Sequence, residues 1–159
     1  MIDPETFERL LPAAYDWARA QEEFVLARGV PLTARQAEDA RRAGVQDCSR
    51  IRVLVVDRIP FPENPELADA ARLTQIISDD SQGFAMGHAV IIRADRWGDR
   101  ELLAHNFVHV AQCERSGGLE CWVRQYLGDR QSCAKFTTGV LENEARDVAR
   151  KICGDEAPK

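Results

Sequence analysis

The sequence predicts an α+β fold: a mostly helical single domain over residues 1–159, with a small β-sheet and a buried helix at its centre. Two runs rich in β-branched and apolar residues, 51–57 and 86–93, read as strands of one sheet packed on that helix. The rest of the chain is dominated by helical periodicity punctuated by helix-capping residues and glycine stops. One helix, residues 99–114, is apolar almost all round, which places it in the interior.

Taken in order, Asp3 followed by Pro4 reads as an N-cap and first helical residue. Pro12 starts or kinks a longer helix, whose stripe Ala14, Trp17, Ala18, Gln21, Val25 ends near Gly29. Thr33 with Gln36 forms a capping-box signature for a second helix, stopped by Gly44. These helices make up an N-terminal part, 1–44, ahead of a core, 45–153. After the first strand, prolines at 60, 62 and 65 break regular structure, and a short helix follows over 66–73. Residues 79–83 form a turn. Alternation in the second strand puts His88, Val90 and Ile92 on one face. Ser116-Gly117-Gly118 ends the central helix. Two more helices are expected at 119–127 and 141–152, and 154–159 frays.

At 45% apolar and 30% charged residues the composition is that of an ordinary globular domain. Its net charge of −5, with both signs interleaved, leaves no basic stripe for nucleic acid. No run approaches a membrane span, and the N-terminus lacks the basic and apolar regions of a secretory signal, so a cytoplasmic location is expected. The five cysteines, at 48, 113, 121, 133 and 153, include no Cys-x-x-Cys pair. They read as free thiols, Cys113 as packing.

The chemistry concentrates at His105-Asn106-Phe107-Val108-His109. Two histidines four residues apart lie about 40° apart around a helix and one turn up, so both imidazoles reach one metal ion. In the zinc-protease motif His-Glu-x-x-His, the Glu after the first histidine is the general base for the metal-bound water. Here that position is Asn106, whose amide takes no proton at neutral pH. A catalytic zinc takes three protein ligands, and the helix carrying Glu142 and Glu144 supplies acids. These two lie about 200° apart around it, so only one can face the metal.

The stretch from Leu103 through Gln112, then Glu114-Arg115-x-Gly117-Gly118 and Leu141-Glu142-Asn143-Glu144-Ala145, resembles a zincin. More narrowly, it is similar to small bacterial gluzincin-type metalloproteases carrying His-Glu-Leu-Val-His-Val-Ala-Gln and a downstream Glu-x-Glu-Ala. The likeness covers roughly residues 45 to 150. It implies a minimal gluzincin core, a Zn2+ ion, His105 and His109 as ligands, and Glu144, the acid before Ala145, as the third. It makes Asn106 the site of the missing catalytic Glu. In such folds a strand borders the cleft and pairs with a peptide substrate. If 87–93 is that strand, His88 points toward the metal as a base or extra ligand.

The expected function is a zinc-binding, metallopeptidase-like protein, inactive or weakly active, taking a peptide or protein into its cleft. Loss of a general base costs about 10²–10⁴-fold in rate, which favours this reading. The alternatives are an active zinc hydrolase using His88 or Glu142 as base, and a metal-free interaction scaffold. No substrate, partner identity or oligomeric state is legible.

Overall fold

The computed structural model describes residues 2–132 and 139–154, so Cys133 and the expected fraying over 155–159 lie outside the described residues. Local signals set the N-terminal helices. Asp3 accepts from the Thr6 amide and Pro4 opens α1 (Pro4–Arg28), which runs through Pro12 without ending. Thr33 and Gln36 close both bonds of a capping box on α2 (Ala34–Arg42). A two-residue strand, β1 (Val30–Pro31), joins these helices.

Among the described residues the sheet has four strands in the order β1-β2-β4-β3. β2 (Arg52–Val56) and β4 (Ala89–Arg93) are the two strands expected from sequence, and they pair in parallel. α3 (Pro65–Leu73), capped by Asn64, lies in the connection that follows β2. β4 is buried on both faces, which is why it reads as a continuous apolar run. Val90 and Ile92 face a core shared with Phe107 and Val108. Ala89 and Ile91 face a second core shared with Leu10, Ala14 and Trp122.

One expectation is corrected. The run 86–93 is not a single strand: Met86 ends β3 (Gly83–Met86), and Gly87 and His88 form the turn into β4. Gly87 has φ +60, and a Cβ there would lie 1.6 Å from a Glu22 carboxylate oxygen. Positive φ at the first centre of a two-residue hairpin is glycine's role. His88 therefore does not share a strand face with Val90 and Ile92, and β3, antiparallel to β4, becomes the sheet edge.

Asp99 caps α4 (Arg100–Ser116), and Gly117, in the left-handed region, ends it. Its N-terminus is tied to α2 by two 2.9 Å bonds from Arg100 to the buried Asp39. Residues 106–113 of α4 are buried without interruption, as its composition requires. α5 (Leu119–Ser132) and α6 (Val140–Gly154) complete the fold, with α6 packed along α4. No described helix is long and apolar enough to cross a membrane.

Candidate metal centre

His105 and His109 project from successive turns of α4, with ring centroids 4.9 Å apart and planes at 76°. The acid that meets them is Glu142, in the first turn of α6. Its Oε2 lies 2.9 Å from His105 Nε2 and its Oε1 3.1 Å from His109 Nε2. Among the described residues, these three alone form a cluster of His, Cys, Asp and Glu ligand atoms, all within 4.8 Å of one another. Two nitrogens and a carboxylate oxygen are the donor set of a three-ligand catalytic metal site, so the group could hold a metal ion. Tetrahedral bonds of about 2.1 Å would set ligand atoms about 3.4 Å apart, a few tenths of an ångström wider than the two histidine–glutamate separations here.

Glu144, expected as the third ligand, is not at the cluster. It points along the other side of α6, where Gln112 Nε2 donates to it at 2.9 Å and Arg115 at 2.7 Å. Burial works against its ionisation, but these two bonds hold its carboxyl below the ordinary glutamate range. The angular argument that only one of the two acids can face the histidines holds. The packing of α6 against α4 and α5 selects Glu142.

Two contacts from α5 assist that selection. The carboxylate of Asp129 accepts from the Val140 and Leu141 amides at 3.2 and 3.1 Å, capping the start of α6. The buried Tyr126 hydroxyl donates to Glu142 Oε1 at 2.6 Å. Burial opposes ionisation of Glu142. The neighbouring His105, His109 and Tyr126 outweigh that and hold its carboxyl far below the usual range. Burial in turn raises the Tyr126 hydroxyl well above its ordinary value, helped by the adjacent Glu142 charge. Neither Asp129 nor Tyr126 was singled out from sequence. The available signal was Trp122, Tyr126 and Arg130, spaced at four residues along one helix face.

Gln112 fixes the histidine tautomer. Its amide nitrogen donates to the Leu141 carbonyl and to the Glu144 carboxylate, both at 2.9 Å. Its oxygen therefore faces His109 Nδ1 at 2.8 Å and accepts a hydrogen bond from Nδ1–H. In the neutral ring Nε2 is then left with a lone pair aimed at Glu142. Two electron-rich atoms at that separation need a cation between them or a proton on the ring. Outer partners of this kind orient metal-binding imidazoles. Glu144 thus acts on His109 through Gln112. Gln112→Ala is expected to weaken metal binding about 10- to 100-fold, read by competition with a chromophoric chelator. A change under about threefold would remove Gln112 from this role.

Asn106 lines the same cleft and is almost fully buried. Its amide nitrogen donates back to the Leu102 carbonyl at 2.9 Å. The edge strand approaches so closely here that a Cβ on Gly83 would stand 2.8 Å from that nitrogen. The cleft, about 310 Å³, lies between α4, α5 and β3, with Arg130 also in its wall.

His88 lies elsewhere, contrary to expectation. Its Nε2 is 2.9 Å from Glu114 Oε2, and Glu114 also accepts from the Gln46 and Asp47 amides. Glu114 is five residues beyond His109, about 7.5 Å further along α4, and His88 does not line the cleft. The turn at Gly87 carries it to the wrong end of the helix for a base or ligand. Cys113 packs in the second core, and burial, its largest influence, pushes its thiol up to about 12, so it stays protonated.

No family model, no curated protein and no solved structure matches this chain. The reading of the site rests on its own geometry.

Proposed function

We propose that this protein is a zincin-like metalloprotein that holds one Zn2+ ion on His105, His109 and Glu142, with peptidase chemistry lost or strongly reduced at Asn106. The observation that carries the proposal is the convergence of His105 Nε2 and His109 Nε2 on the two carboxylate oxygens of Glu142, at 2.9 and 3.1 Å. Gln112 Oε1 accepts a hydrogen bond from His109 Nδ1–H, which turns Nε2 toward the carboxylate, with His105 one turn away. The donor set suits zinc, with a fourth position left to water or ligand. The edge of β3 beside the cleft, which pairs with no further strand among the described residues, offers hydrogen bonds to an extended peptide, so the site binds a peptide or protein segment without cutting it.

An active hydrolase with a substitute base has less support. His88 is bonded to Glu114 outside the cleft, and Glu142 is engaged with both histidines and Tyr126. A metal-free reading has one observation in its favour: with protonated histidines, Glu142 is satisfied by three donors. Elemental analysis separates the two. Protein purified without a tag and dialysed after zinc addition is expected to retain about one equivalent, set by the single cluster. Less than about a tenth of an equivalent would establish the metal-free network instead.

A further inference from the structure

Behind the cleft lies a second cavity of about 90 Å³, walled by α1, α3, α5 and β3. Its lining is almost wholly hydrocarbon, including Leu10, Ala14, Trp17 and Ala71. Ile76, Phe84, Trp122 and Tyr126 line both spaces and so form a wall common to the two, and the Tyr126 hydroxyl meets Glu142. Apolar cavities on the order of 100 Å³ stay dry and take hydrocarbon ligands. Trp122 lines both spaces and Arg130 the cleft; the indole N–H of Trp122 and the Nε–H of Arg130, whose Nη2 donates to the Thr74 and Gln75 carbonyls, are buried without a hydrogen-bond partner among the described residues. Both residues line the cleft, one turn to either side of Tyr126 on α5. Two buried donors left open beside a candidate metal centre call for an acceptor from outside the chain.

We infer that the site binds a small amphipathic acyl compound, its oxygen-bearing head at the metal and the Trp122 and Arg130 donors, its alkyl chain in the apolar cavity. The head-group half rests on the metal reading above; the chain half rests on the cavity. An ordinary peptide would lie along β3, whereas this chain would leave the cleft past Ile76, Phe84, Trp122 and Tyr126, the residues that line both spaces. The occupant is thus distinguished by a tail that leaves the cleft.

Calorimetry with acetohydroxamate and octanohydroxamate on zinc-loaded protein separates the two halves. Acetohydroxamate reports the metal alone. Each methylene buried beyond it is expected to tighten binding about fourfold until the cavity is full, so octanohydroxamate binds at least about tenfold better. Ala14→Leu and Ala71→Leu each fill the cavity from a different helix. Either is expected to bring octanohydroxamate within about threefold of acetohydroxamate, with zinc content and acetohydroxamate affinity unchanged. In Trp97→Phe the remaining tryptophans, Trp17 and Trp122, both border the cavity, so 8-bromooctanohydroxamate is expected to quench their fluorescence. Failure of acetohydroxamate to bind would overturn the metal reading alone, because quenching by the bromo compound still tests the cavity. Equal affinity of the two hydroxamates, a gain that persists in both filled variants, or absence of quenching would overturn the acyl site. Leucine hydroxamate binding as tightly as octanohydroxamate would also overturn it, assigning the cavity to a peptide side chain.

Discussion

Glu142→Gln is expected to lower zinc affinity by on the order of 10³-fold, whereas Glu144→Gln is expected to stay within the 10- to 100-fold effect of an outer contact. The two acids sit two residues apart on one helix, yet they do different work. Glu142 supplies the oxygen that lies 2.9 Å from His105 and 3.1 Å from His109 on its two atoms. An amide there keeps the size and an acceptor for the Tyr126 hydroxyl but loses the charge that a divalent ion requires. Glu142→Ala adds a second cost, because a buried Tyr126 hydroxyl without an acceptor destabilises by about 1–3 kcal/mol. Comparing Gln with Ala therefore separates ligation from folding. Glu144 would act on a bound metal only by orienting Gln112, so its loss would change the aim of the His109 ring and not the number of ligands. Chelator competition and elemental analysis on the purified variants are the measurements. Zinc retained by Glu142→Gln within about threefold of wild type, or lost as severely by Glu144→Gln, would reverse the assignment.

The other large effect is a gain. Asn106→Glu is expected to raise zinc-dependent peptide cleavage by about 10²–10⁴-fold over a wild type that is close to inactive. Asn106 holds its nitrogen on the Leu102 carbonyl, a bond that a carboxylate cannot donate. Glutamate would be repelled by that carbonyl and turn into the cleft, where His105, His109 and Glu142 gather. There it could take the proton of a metal-bound water. The lost hydrogen bond and a buried charge cost stability, about 1–3 kcal/mol, so melting temperature is measured beside activity. Cleavage of an unstructured protein, with and without chelator, provides the test. Chelator-sensitive cleavage only in the variant supports a lost catalyst. Comparable cleavage by wild type would show that another group already serves as base. Inactivity of both, with zinc bound in each, would mean that the cleft does not present peptides to the metal.

Several features were legible because they depend on neighbours along the chain. The Asp3 and Thr33 caps, the Gly117 stop and the i, i+4 placement of His105 and His109 follow from helix geometry alone. So did the two inner strands, since burial on both faces of β4 leaves an unbroken apolar run. The edge strand β3 was missed because its short run Gly83-Phe84-Ala85-Met86 carries no alternation. The residues after it continue the apolar pattern straight through the hairpin at Gly87. That one turn also moved His88 from the supposed cleft to Glu114.

From the sequence alone it follows that two imidazoles share one helix face and that only one of the two downstream glutamates can join them. Tertiary structure decided which glutamate. Side chains at 142 and 144 point to opposite sides of α6 whatever the fold, but which side meets α4 depends on contacts from α5. Asp129 fixes the start of the helix and Tyr126 holds the carboxylate. Those residues are more than ten positions from Glu142 and have no periodic relation to it. Spacing within one helix is set by 3.6 residues per turn, whereas the rotation of one helix against another is set by everything packed around both.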